Sequence, residues 1–109
     1  ASMLDQIPMD MFFDVLRVNL NPVKVDQTKI LTVCYEFSSG LSRAMIIRNQ
    51  IAQIKDTLPT DCTINVKTDE QTFKQVLAGI KNPIAEIASA NLIVDKDVQF
   101  LKLLTAFRP

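Results

Sequence analysis

The chain has no histidine and no tryptophan, and only two of its 109 residues are glycine. Without histidine there is no Ser-His-Asp triad, no His-ligated zinc site and no imidazole general base. So few glycines favour regular elements joined by short connections over a loop-rich architecture. Charge of one sign is also missing, since twelve basic residues offset twelve acidic ones. No Lys/Arg run is dense enough for a nucleic-acid footprint, and aromatics that could stack bases are few, so no nucleic-acid partner is expected. No apolar run approaches the 18 or more residues of a membrane span, so no transmembrane segment is expected. The N-terminus lacks a signal-peptide pattern, which makes a cytoplasmic location the favoured expectation.

What is present is a well-patterned apolar sequence. Hydrophobic residues make up 48% and the mean hydropathy is +0.15, values that fit one globular domain over residues 1–109, with 1–6 as a flexible N-terminal segment. Cys34 and Cys62 both sit in strand-like apolar patterns. Their plain reading is two buried small hydrophobes, with a disulfide left open because its geometry is not visible in sequence.

Pro8 and Asp10 mark the start of a first helix. Met9, Phe12, Phe13, Leu16 and Leu20 share one face, and Met11, Val15 and Val18 widen it. That face is broader than one sheet contact needs. Asp10, Asp14, Arg17 and Asn21 form the polar stripe, and Asn21-Pro22 stops the helix. Strands are expected over 29–38, 41–48 and 51–55, joined by the Ser38-Ser39-Gly40 turn and a two-residue Asn49-Gln50 turn. A fourth strand over 62–67 alternates Cys62, Ile64 and Val66 inward with Thr63, Asn65 and Lys67 outward. Thr68 and Gln71 then spell a capping box for a helix with the stripe Phe73, Val76, Leu77 and Ile80, ending at Gly79. Asn82-Pro83 starts a short helical turn carrying Ile84, Ile87 and Ala88. Residues 91–95 read as a fifth strand. Asp97 caps a final helix carrying Phe100, Leu101, Leu103, Leu104 and Phe107, with Lys102 and Arg108 toward its C-terminal end.

Chemistry-bearing groups are sparse. Asp69 and Asp97 are explained by helix starts, and Asp10 and Asp14 by a solvated face. Asp95-Lys96-Asp97 lacks the further ligands of a calcium loop. No catalytic residue, metal ligand or cofactor is expected, and the chain is read as not an enzyme.

The stretch TDEQTFKQVLAGIKNPIAEIASANLIVDKD, from Thr68, resembles the type-two sterol carrier protein fold. Asp69, Phe73, Leu77, Gly79, Pro83, Leu92, Val94, Asp97 and Leu104 meet its pattern, while Ala90 and Lys96 stand where two glycines are usual. The opening IPMDMFFDVLRVNLNP is similar to the start of the C-terminal domain of alkyl sulfatases, and Phe107-Arg108-Pro109 to its close. The resemblance implies an α+β fold: a single five-stranded, mainly antiparallel sheet with helices packed on one face. It also implies noncatalytic binding of an aliphatic or lipid-like small molecule, a long-chain alkyl or fatty acyl group, in an apolar cavity. That would be an accessory role beside a separate catalytic domain. The residues expected to line the cavity are Phe12, Phe13, Leu16, Phe73, Leu77, Ile84, Leu101, Leu104 and Phe107. The alternative is a structural module whose surplus apolar face forms a homodimer or docks onto another domain.

Overall fold

Residues 4–107 are described by the structure, a computed structural model. Arg108, expected near the end of the last helix, and residues 1–3 of the expected flexible segment lie outside the described residues. Leu4–Gln6 forms a 3-10 turn.

The elements run α1 (Met9–Val18), β1 (Leu31–Phe37), β2 (Ser42–Arg48), β3 (Ile51–Lys55), β4 (Ile64–Thr68), α2 (Glu70–Leu77), α3 (Pro83–Ala88), β5 (Leu92–Val94) and α4 (Asp97–Leu104). The five strands form one sheet in the order β3-β2-β1-β4-β5. Only β1 and β4 run parallel; the other pairs are antiparallel. The fold is thus α+β, as expected.

Strand alternation decides where the core lies. Leu31, Val33, Tyr35 and Phe37 of β1 align in register with Ile47 and Met45 of β2 and with Ile64, Val66 and Thr68 of β4. This face meets Met9, Phe12, Phe13 and Leu16 of α1, Phe73 and Val76 of α2, and Phe100, Leu103 and Leu104 of α4 in one buried cluster. At its centre the rings of Phe13, Tyr35, Phe37 and Phe73 lie 4.9 to 6.3 Å apart. Each such ring pair adds roughly 0.5–1.5 kcal/mol beyond burial of its area. Burial pushes the Tyr35 phenol well above its ordinary pKa.

Several expectations need correction. Met11 and Val18, which widened the apolar face of α1, are 54% and 69% exposed, so the surplus faces solvent. Asp10 is not merely solvated: Arg43, from the core face of β2, donates from Nε to its Oδ1 at 3.0 Å. The N-cap of α2 is Asp69 rather than Thr68. Its Oδ1 accepts from the Thr72 amide at 2.8 Å and its Oδ2 from the Thr72 hydroxyl at 2.6 Å. Thr68 instead ends β4 and donates its hydroxyl to the Asn91 carbonyl at 2.8 Å. Because α2 stops at Leu77, Ile80 leaves the stripe and is half exposed. Asp97 is the first residue inside α4 rather than its cap.

Cys34 and Cys62 are disulfide-bonded, with Cα atoms 5.9 Å apart. This replaces the reading of two independent buried hydrophobes. Cys34 points to the sheet face opposite the aromatic core, so the bond fastens the end of the 56–63 connection to the middle of β1. That connection links β3 to β4, strands separated in the sheet by β2 and β1. Ala44, the partner of Cys34 across the β1–β2 ladder, is fully buried on the same face. The connection therefore crosses the back of the sheet and covers its centre.

Among the described residues three non-glycines take left-handed backbone angles. Asn49 (φ 51°) and Gln50 (φ 65°) make the tight β2–β3 turn, whose twist matches a hairpin. Gln50 stands where glycine is preferred, and its Nε2 donates to the Pro22 carbonyl at 2.7 Å. The third is Ala90 (φ 62°), after α3, at a position where the resemblance expected glycine. Lys96, at the other missing glycine, has φ −132° and needs none.

Candidate functional site

Two caps and a turn shape the candidate site. Gly79 (φ 79°) ends α2 and turns the chain. Asn82 then accepts from the Ile84 amide at 2.9 Å and starts α3 with Pro83 in its first turn. This α2–α3 connection faces one side of α4. Between them lies an open cavity of about 510 Å³ lined by Gly79, Ile80, Lys81, Asn82, Pro83, Leu101, Leu104 and Thr105. Its volume is within the range of roughly 300–1,000 Å³ usual for small-molecule sites. Its one charged lining group, Lys81, lies 3.6 Å from the Glu86 carboxylate of α3.

The nine expected cavity residues divide. Leu101 and Leu104 line this cavity from α4. Phe12, Phe13, Leu16, Phe73 and Phe107 are buried members of the central core. Leu77 packs against that core from the end of α2, partly buried. Ile84 is outside both, 63% exposed on α3. The residues not foreseen are the connection itself, from Gly79 to Pro83, and Thr105. Gly79 and Pro83 were legible as punctuation, but nothing in their residue types says that the turn they make stands opposite α4.

No Asp, Glu or Cys side chain is among the residues lining this cavity. Among the described residues no group of three His, Cys, Asp or Glu side chains could hold a metal ion. The shifted carboxylates are accounted for by local structure. Burial pushes the Asp69 carboxyl up, but the bonds from the Thr72 hydroxyl and amide outweigh it and hold it below the usual range. Asp95 is held low by the Asn65 side-chain amide and backbone N–H, which fasten the end of β5 to β4. The cavity surface is mixed, with Ile80, Pro83, Leu101 and Leu104 beside Lys81, Asn82 and Thr105.

No helix among the described residues is long and apolar enough to cross a membrane. A family model described as alkyl sulfatase C-terminal matches residues 1–109. No curated protein matches the chain in sequence. Among solved structures, the stereoselective inverting sec-alkylsulfatase Pisa1 from Pseudomonas sp. superposes with a TM-score of 0.86 at 20% identity, over 94% of this chain and 17% of that one. The chain thus spans about a sixth of that sulfatase. Sterol carrier protein-2 like-3 from Aedes aegypti matches with a TM-score of 0.62 at 18% identity, over 94% of this chain and 98% of that one. Palmitated SCP2L2 from Aedes aegypti matches with a TM-score of 0.58 at 8% identity, over 94% of this chain and 96% of that one. At these identities the likeness shows the shared fold.

Proposed function

The chain belongs to the alkyl sulfatase C-terminal family, and on that premise we propose that it is a noncatalytic domain that binds long-chain alkyl or fatty acyl groups. In a longer protein it would serve as the accessory domain of an alkyl sulfatase. The observation that carries this reading is the cavity between the α2–α3 connection and α4, with Leu101 and Leu104 on its wall. A neighbour of the same fold described as palmitated lends it support. Leu104 both lines this cavity and belongs to the core, so a tail can extend inward by displacing it. Leu77 lies toward the same end of the core.

Binding of this kind is driven by hydrocarbon burial. Each buried methylene contributes ~0.8 kcal/mol, close to a fourfold gain in affinity. A fatty acid series of increasing length, titrated calorimetrically into the chain, should show stepwise tightening. Affinity that is flat with length would refute the proposal.

A second reading, a docking or dimerisation module, is favoured by the exposure of Met11 and Val18 on α1. Concentration-dependent association without uptake of a fluorescent fatty acid would support it over the first. As for location, disulfides persist in oxidising compartments and are rare in reducing cytosol. The Cys34–Cys62 bridge therefore supports an oxidising compartment over the cytoplasmic one favoured by the sequence.

A further inference from the structure

On the other side of α4 lies a second pocket, of about 270 Å³, with a different character. Its floor is apolar. Leu31 and Ile47 are direct partners across the β1–β2 ladder, and Leu103 of α4 and Val25 pack beside them. Its rim is cationic: Lys24, Lys29 and Lys102 face one carboxylate, Asp26.

That carboxylate offsets only one of the three positive charges. Asp26 accepts from the Thr28 amide at 2.9 Å and the Thr28 hydroxyl at 2.6 Å, which occupies it in its own turn. Lys29 Nζ stands 4.0 Å from Asp26 Oδ2, at the outer limit of pairing. Lys24 Nζ donates to the neutral Thr105 carbonyl at 3.3 Å and has no ion-pair partner among the described residues. Among the described residues Lys102 has no ion-pair partner. The Thr28 bonds hold the Asp26 carboxyl below its usual range, and the fields of Lys29 and Lys102 act in the same direction, as expected if both ammonium groups look toward this spot.

We infer that this pocket receives the anionic head group, a sulfate or a carboxylate, of a single-chain alkyl amphiphile, with the first methylenes on the Leu31–Ile47–Leu103 floor. The inference rests on the proposed alkyl binding and adds to it a preference for charge. Three cations around an apolar floor attract an anion and repel a cationic head. The pocket is smaller than those that enclose a whole drug-sized ligand, so it takes the head and the start of the tail. The first cavity offers no comparable charge, since its lysine is matched by Glu86.

Titration of the chain with decyl sulfate, decanoate and uncharged decyl glucoside, each below its micelle concentration, separates the possibilities. Both anions should bind roughly five- to tenfold tighter than the glucoside, the size two exposed ion pairs supply, and the gap should narrow with salt. The double variant Lys29→Gln/Lys102→Gln, altered only at exposed positions, should close the gap while leaving glucoside affinity unchanged. Amide NMR shifts on adding decyl sulfate should map to Thr63, Gln99 and Leu103. Equal affinity for charged and uncharged heads would overturn the inference while the alkyl-binding proposal stood. So would a gap that survives the double variant, or shifts confined to residues 79–83. Failure of all three amphiphiles to bind would overturn both.

Discussion

The two consecutive helices α2 and α3 begin alike and end up differently. Each starts with an Asx side chain bonded to a backbone amide two or three residues on: Asp69 to Thr72 and Asn82 to Ile84. Yet α2 buries Thr72, Phe73, Lys74 and Val76, whereas α3 buries no residue. The buried Lys74 even reaches across to donate its ammonium to the Ile7 carbonyl at 3.0 Å. Capping chemistry is local and sets where a helix begins. Burial is set by what stands opposite, and β1 with α1 stands opposite α2. Helix α3 sits where the sheet narrows to the three-residue β5, at the edge of an open cavity. One helix is therefore part of the packed platform, and the other lies at the open end where a ligand is proposed to enter.

The sharpest way to break this contrast is to truncate one apolar residue on each helix. Phe73→Ala should cost about 3–5 kcal/mol in urea unfolding, and Ile84→Ala should stay within about 0.5 kcal/mol. Comparable losses would mean that α3 is packed after all. Next in size is the platform itself. Its disulfide closes a segment with a sequence separation of 28, for which chain-entropy arguments give roughly 3–4 kcal/mol. Reduction, or Cys34→Ala/Cys62→Ala, should lower the unfolding midpoint accordingly. Native-state hydrogen exchange would show whether the α3 amides remain the faster set.

The caps should separate by a smaller margin. Asp69→Ala is expected to cost about 1–2 kcal/mol, because Asp69 anchors the packed helix, and Asn82→Ala less than about 1 kcal/mol. Acid distinguishes them again. The folded-state pKa of Asp69 is depressed, so its contribution is present above the unfolded carboxylate value of about 3.9 and is lost as pH falls below it. Asn82 does not titrate. Protection factors in α2, which allow for the intrinsic slowing of exchange in acid, should fall below that pH while those in α3 are unchanged by this route. The smallest effect is a gain. Ala90 holds a left-handed angle just after α3, so Ala90→Gly should stabilise by roughly 0.5–1 kcal/mol, relief of strain exceeding the added freedom of the unfolded chain.

Much of the architecture was legible in the residues. Alternation gave Ile64 and Val66 of β4 as inward residues, though not Cys62, which turns to Cys34, and the spacing of Met9, Phe12, Phe13 and Leu16 gave the buried side of α1. Gly79 and Asn82-Pro83 gave the break between α2 and α3. The errors share a cause, which is that periodicity reports a preference and not an opposite surface. Met11, Val18, Ile80 and Ile84 have the same residue types as the core but nothing to pack against. The cavity was half visible, since Leu101 and Leu104 were identified while the facing turn was not. The bridge between Cys34 and Cys62 escaped because pairing depends on how residues 56–63 cross the sheet, a long-range matter that neither cysteine's neighbours reveal.

That bridge also makes the chain a closed ring with two arms. The ring contains β2, β3 and the crossing connection, while α1 lies on one arm and α2, α3, β5 and α4 lie on the other. Pulled from its ends, the oxidised chain reaches full extension roughly 90 Å short of the reduced one, about 28 residues of contour being hidden behind a covalent bond. Tension applied through either terminus can strip the arms from the sheet. The β2–β3 hairpin carries none of the load once the arms are free, until a reductant opens the ring.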